Sequence, residues 1–194
     1  GVAPDMVITK NLDVAEGWAV YHTSLGPTKF LKLNDSAAAG TGTGYWNDTA
    51  PSATLVTLGN DGGVNQSTKN MVAYCFAGKR GYSKFGSYTG NGNADGTFVY
   101  TGFRPAYLFV KQVAEARSWN QFDFKRSPAN VVNDQLVLNS DAINEVKTMC
   151  DFVSNGFKAR ATDDGINKSS QQYVYAAFAE FPIVSSNDVP VVAR

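Results

Sequence analysis

The sequence predicts an all-β protein. It reads as two tandem antiparallel β-sandwich units related by an internal repeat, residues 1–83 and 84–194. Three observations carry this: self-similarity at a period of about 100 residues, a succession of strand-length β-branched and aromatic runs, and a turn-rich composition. Each unit holds about seven short strands. One larger sandwich with pseudo-twofold character is the alternative. Apolar contacts crossing between the halves as densely as within them would favour it.

The repeat is visible by eye. Gly1-Val-Ala-Pro4 through Lys10 returns as Gly102-Phe-Arg-Pro105 through Lys111, an offset of 101 that also aligns Trp18 with Trp119 and Tyr21 with Phe122. Leu31-Lys-Leu33-Asn34 returns as Leu136-Val-Leu138-Asn139, offset by 105. Asn65-Gln-Ser67 and Met71–Ala77 return as Asn167-Lys-Ser169 and Tyr173–Ala179, offset by 102. A feature present in both copies reads as scaffold. A feature in one copy only is the better candidate for function.

Strands are expected in order at 6–10, 18–22, 29–33, 54–58 and 71–77, and in the second half at 107–111, 119–124, 135–138, 157–161 and 173–181. Between the halves lie 83–89 and 97–101, joined by Gly90-Asn-Gly-Asn-Ala-Asp-Gly96, a hairpin loop by composition. The strand over 173–181 is apolar on both faces and reads as central; the run 71–77 has the same character. Pro4 and Pro105 open their strands, where a missing N–H does little harm. The best helix candidate is 140–152, with Ser140 as N-cap and Ile143, Val146 and Met149 or Cys150 at helical spacing; a short turn is expected there. Its counterpart, 37–52, is Gly- and Thr-rich and reads as a loop. If the repeated unit includes the pair 83–101, the first copy lacks its own; a longer parent chain supplies it, or 84–101 completes the first sheet.

Composition narrows the function classes. Hydrophobic residues are 43% and charged residues 18%, so the chain folds rather than stays disordered. Lys and Arg total 17 against 17 Asp and Glu, which removes the electrostatic basis for nucleic-acid binding, and no Lys/Arg run is evident. Apolar runs such as Tyr107–Val110 are too short to span a bilayer. The first residue is Gly rather than Met, so the numbering is expected to begin inside a longer or processed chain. Cys75 and Cys150 occupy non-equivalent positions and read as free thiols, though pairing stays open.

The catalytic inventory is thin, and no catalytic residue, metal ligand set or cofactor is assigned. His22 is the one histidine; with no Gly-x-Ser-x-Gly elbow it reads as a strand-end polar residue. One His and two distant Cys argue against structural zinc. The four glutamates, Glu16, Glu115, Glu145 and Glu180, do not form the Glu-x-Asp-x-x-Glu strand of laminarinase-like enzymes, which makes a glycosidase the least favoured reading. Asn60-Asp-Gly-Gly63 and Asp163-Asp-Gly165 read as turns rather than calcium loops. Thr41-Gly-Thr-Gly44 lacks the Lys of a phosphate loop. Glycosylation-type triplets at Asn47, Asn65 and Asn167 are explained by turn-forming Asn and Ser.

Trp18 and Trp119, present in both copies, read as core anchors. Trp46 lies in one copy only, within Tyr45-Trp-Asn-Asp48. These four are the candidate binding residues, because a loop aromatic beside amide and carboxylate groups suits a sugar or protein contact. The competing reading, which is favoured, is that Trp46 pins its own loop to the sandwich.

The phrases Ala3-Pro-Asp-Met-Val-Ile-Thr-Lys-Asn11, Trp18-Ala-Val-Tyr-His22, Trp46-Asn-Asp-Thr-Ala-Pro51, Val72-Ala-Tyr-Cys-Phe-Ala77 and Gly81-Tyr-Ser-Lys-Phe-Gly-Ser-Tyr-Thr-Gly90 resemble tailed-bacteriophage virion proteins of the tail-fibre, spike or decoration type. The resemblance covers nearly the whole chain, and Phe181–Arg194 looks like the terminal tail of such a protein. It implies a concanavalin A-like or SPRY-like β-sandwich and a non-enzymatic role in assembly or host attachment on the extracellular particle. It also implies partners among other virion proteins and copies of itself (fibres and spikes are often trimeric), and a host-surface glycan or protein as target. A carbohydrate-binding module is the second reading. The resemblance brings no residue-level binding motif with it.

Overall fold

The computed structural model describes residues 1–141 and 144–182. Its strands are β1 (Met6–Asn11), β2 (Ala19–His22), β3 (Lys29–Lys32), β4 (Gly40–Thr41), β5 (Met71–Phe76), β6 (Ser83–Thr89), β7 (Phe98–Tyr100), β8 (Pro105–Gln112), β9 (Asn120–Asp123), β10 (Val132–Val137), β11 (Glu145–Val153), β12 (Gly156–Ala159) and β13 (Gln172–Ala179). A single helical turn, α1 (Thr43–Trp46), interrupts them. The strands form two antiparallel sheets, ordered β4-β3-β2-β1-β5 and β6-β13-β8-β9-β10-β11-β12-β7. All-β, sandwich-like architecture is therefore the fold.

Alternation places the core. On β1, Val7 points to one side of the five-stranded sheet, where it packs with Tyr21, Tyr45, Trp46 and Val64. Met6 and Ile8 point to the other side and join Val20, Leu31, Phe85, Phe109, Trp119, Val174 and Ala176. That second cluster draws on both halves of the chain and joins the two sheets. The eight-stranded sheet curls on itself around a third cluster, which includes Leu108, Phe122, Cys150, Phe157, Tyr173 and Tyr175. Phe157 from β12 meets Tyr88 of β6 at 5.7 Å and Tyr175 of β13 at 5.4 Å between ring centroids. As expected for a central strand, β13 buries both faces: Tyr173, Tyr175 and Ala177 inward to one cluster, Val174 and Ala176 to the other.

Matched positions use the same devices. The registers Val7↔Tyr21 and Val7↔Cys75 reappear as Leu108↔Phe122 and Leu108↔Ala177. Asn34 Oδ1 accepts from Trp18 N–H at 2.7 Å, and Asn139 Oδ1 accepts from Trp119 N–H at 2.7 Å. Asp61 and Asp163 each accept from the N–H two residues on, at 2.9 and 2.7 Å. Thr68 and Ser170 both take positive φ, 64° and 61°. Asn34→Ala and Asn139→Ala are each expected to lower stability by about 1 kcal/mol, with the larger loss at Asn139, whose tryptophan is buried. Urea unfolding of the two variants checks this.

Several expectations are corrected. The segment 140–152 is not helical where described: Glu145–Val153 is β11, paired with both β10 and β12. Val146, Thr148 and Val153 suit a strand, and Cys150 and Phe152 are buried at a two-residue period. Ala142 and Ile143 lie outside the described residues. The run 54–58 is not a strand; Val56 and Leu58 pack as coil against the outer cluster. Gly90–Gly96 is not a hairpin loop, because β6 pairs with β13 and β7 with β12, at opposite edges of one sheet. The strand β5 is not covered on both sides: Ala73, Tyr74 and Cys75 are exposed. The loop 37–52 carries β4 and α1. Cys75 is exposed, Cys150 is buried, and both are free thiols.

Candidate functional site

A cleft of about 370 Å³ opens where the start of β1, the turn before β6 and the end of β7 converge. The turn is built by its own backbone. Tyr82 and Ser83 N–H both donate to Lys79 O at 2.9 Å, Gly81 takes φ 71°, and Ser83 Oγ donates to Ala77 O at 3.1 Å. Gly78 N–H donates to Asp5 Oδ2 at 2.7 Å, which ties the turn to the start of β1. This tight path projects Lys79 and Arg80 outward, both exposed. Lys84 reaches across the cleft instead, its ammonium donating to Tyr100 O at 2.8 Å and lying 5.2 Å from the Tyr100 ring centre. Tyr100 is 58% exposed and Tyr82 46%. Among the described residues no ion pair involves Lys79 or Arg80. Two unpaired cations and a tyrosine face open to solvent can take an anionic group bearing an apolar or ring surface.

The four residues expected to bind are placed differently from one another. Trp46 is 1% exposed and meets Tyr21 edge-on at 5.8 Å. Tyr45 is stacked on Phe30 at 3.5 Å. Burial, then Asp61, pushes the Tyr45 phenol up to about 12. Both aromatics pin the 43–64 loop over the outer face of the five-stranded sheet. Asn47 and Asp48 stay exposed at positive φ, 48° and 47°. The structure does not bring these four together as a platform.

The other candidates are tied into the scaffold. His22 is buried; its Nε2 lies 3.1 Å from Tyr175 O, and its Nδ1 accepts from Ser24 N–H at 3.2 Å. Burial lowers its pKa to about 4, so the ring is neutral near pH 7. Lys111 is buried and donates to Gln112 O at 2.8 Å and Ser36 O at 3.3 Å, tying the 35–39 segment to β8. Burial lowers it to about 8 against the pull of Asp35. Glu115 pairs with Lys168 at 2.7 Å, Glu180 with Arg104 at 3.0 Å, and Glu145 with Lys147 at 2.5 Å. Asn167 is buried, its amide donating to Asn91 Oδ1, Asn93 O and Ala161 O, so it acts as a structural bracket. Asn65 is exposed and donates to Gly59 O. Among the described residues no three His, Cys, Asp or Glu side chains group as a metal site.

Sequence reasoning missed the cleft. A signal was present: Gly78-Lys-Arg-Gly-Tyr-Ser-Lys84 concentrates three cations and a tyrosine in seven residues. Only the fold adds Asp5 and Tyr100.

Comparison with known proteins is sparse. No curated protein and no solved structure matches the chain. A family model matches residues 1–182, and the chain belongs to that family, described as Domain of unknown function (DUF7483).

Proposed function

We propose that the chain is a non-enzymatic structural module of a phage virion, acting in assembly or host attachment as part of a fibre, spike or decoration protein. The motif phrases quoted above support the phage setting. One structural observation supports the non-enzymatic part: the groups able to move protons are tied into scaffolding. His22 joins β2 to the carbonyl of Tyr175, Lys111 brackets a loop, and three of the four glutamates sit in ion pairs. A stiff sandwich whose polar groups hold its own layers suits load and display. Antibodies raised against the module and applied to purified particles of the source phage test this. Labelling at regular positions on the virion is expected; a particle fraction free of the protein would overturn the proposal.

The cleft favours glycan binding as a second reading, with an acidic saccharide as ligand. Its carboxylate or sulfate would meet Lys79 and Arg80 while the Tyr100 ring takes the sugar face. Glycan-array binding restricted to acidic sugars is expected, weakened about a hundredfold or more in Lys79→Ala/Arg80→Ala, since charge-assisted bonds contribute about 1.5–3 kcal/mol each. Retained binding in that double variant would remove the cleft from the account.

A further inference from the structure

The two halves differ at one sheet edge. In the second half, β13 pairs on one side with β8 and on the other with β6, over Gln172↔Thr89 through Phe178↔Ser83. Its positional counterpart β5 pairs with β1 over Met6↔Phe76 through Asn11↔Met71 and ends the five-stranded sheet. Among the described residues nothing pairs with the outer edge of β5. The edge is also unguarded. Met71-Val-Ala-Tyr-Cys-Phe76 holds no charge, no Pro and no Gly, and Tyr74 is 47% exposed. Folded monomers blunt such edges with charges, prolines or bulges, because a bare, uncharged, β-prone strand recruits another strand. Beside it lies an apolar groove of about 240 Å³ that includes Val2, Leu55, Val56 and Cys75, with Val2 and Leu55 at 72% and 70% exposure.

The matched half indicates what covers the edge. Transferring the β6–β13 register by the 102-residue offset places a Phe85-type residue opposite Tyr74 and a Tyr88-type residue opposite Met71. In the second half, Phe85 packs in the cluster between the sheets, and Tyr88 stacks on Tyr173 at 5.0 Å. The chain path agrees. The segment holding β6 and β7 runs directly into Gly102, the counterpart of Gly1, and Val2 and Pro4 already line the groove beside Cys75 and Ala77.

We infer that the open edge of β5 is the docking site for one antiparallel strand of the β6 pattern, carried by a further copy of the repeated unit standing immediately N-terminal to Gly1. The inference is independent of the phage reading. It makes the five-stranded sheet a six-stranded one and joins successive units through a shared sheet.

The test appends a second copy of residues 81–101 directly before Gly1, so that it enters Gly1 as the original enters Gly102. Amide hydrogen exchange of residues 71–76 and sedimentation are compared with the chain as it stands. Exchange slowed by about a hundredfold or more in a monomeric extended chain is expected, with the protection removed by Gly86→Pro in the appended copy alone. Unchanged exchange in the extended chain would overturn the inference. So would edge amides already protected in the unextended chain within a dimer that persists after extension, because the occupant would then be a second molecule.

Discussion

Trp119→Ala is expected to lower stability by about 3–5 kcal/mol, the range for emptying a large buried aromatic site. The indole is 1% exposed and meets Phe109 edge-on at 5.9 Å. Its Nε1–H donates to Lys32 O in β3 at 2.9 Å, so the side chain that anchors β9 also binds the neighbouring sheet. Removing it opens a cavity in the shared cluster and takes the shorter of two bonds from the Lys32 carbonyl, which keeps the 3.3 Å bond from Asp35 N–H. The matched Trp18→Ala is expected to cost about 1–2 kcal/mol, because Trp18 is only half-buried, beside Leu33 and Leu138 at a surface groove. Chemical denaturation of both variants checks the asymmetry. Equal losses would mean that the joint between the sheets contributes no more than the rim.

Acid is expected to weaken the fold through His22. Burial holds its pKa at about 4, against 6.5 for the free side chain. The unfolded chain therefore binds the proton more readily, so stability is complete above pH 6.5, falls as the pH drops, and is fully lost for this group below about pH 4. The contribution is about 3 kcal/mol over that window. Geometry explains the sign. A protonated Nδ1 would point a proton at the Ser24 N–H that it now accepts from. His22→Asn is expected to cost about 1–2 kcal/mol at pH 7 by removing the buried side-chain bond from β2 to Tyr175 O and to flatten the pH dependence between 4 and 6.5. Urea midpoints from pH 4 to 8 give both quantities, and an unchanged slope in the variant would place the acid sensitivity elsewhere.

Much of the framework was legible because alternation is a local property. The runs at β1, β2, β8, β9 and β13 carry their inside and outside residues in the sequence itself, and β13 announces its two buried faces. The segment 140–152 misled because Val146, Met149 and Cys150 fit helical spacing as well as strand spacing; pairing with β10 and β12 decides between them. The run 54–58 has strand residues but no strand beside it to pair with. The arch at 90–96 has hairpin chemistry, yet long-range pairing sends its two flanking strands to opposite edges. The site was harder to read. Burial of Trp46 depends on which loop folds over which face, and the cleft depends on Asp5 and Tyr100 reaching a turn that is distant from both in sequence.

The central claim is that the two sheets are layers of one stiff body, joined by an apolar cluster drawn from both halves and by the bonds from Trp119, Lys111 and His22. Differential scanning calorimetry tests it most directly. A single transition is expected, with calorimetric and van't Hoff enthalpies equal and shifted as a whole by Trp119→Ala. Two resolved transitions, only one of them moved by that substitution, would contradict the claim.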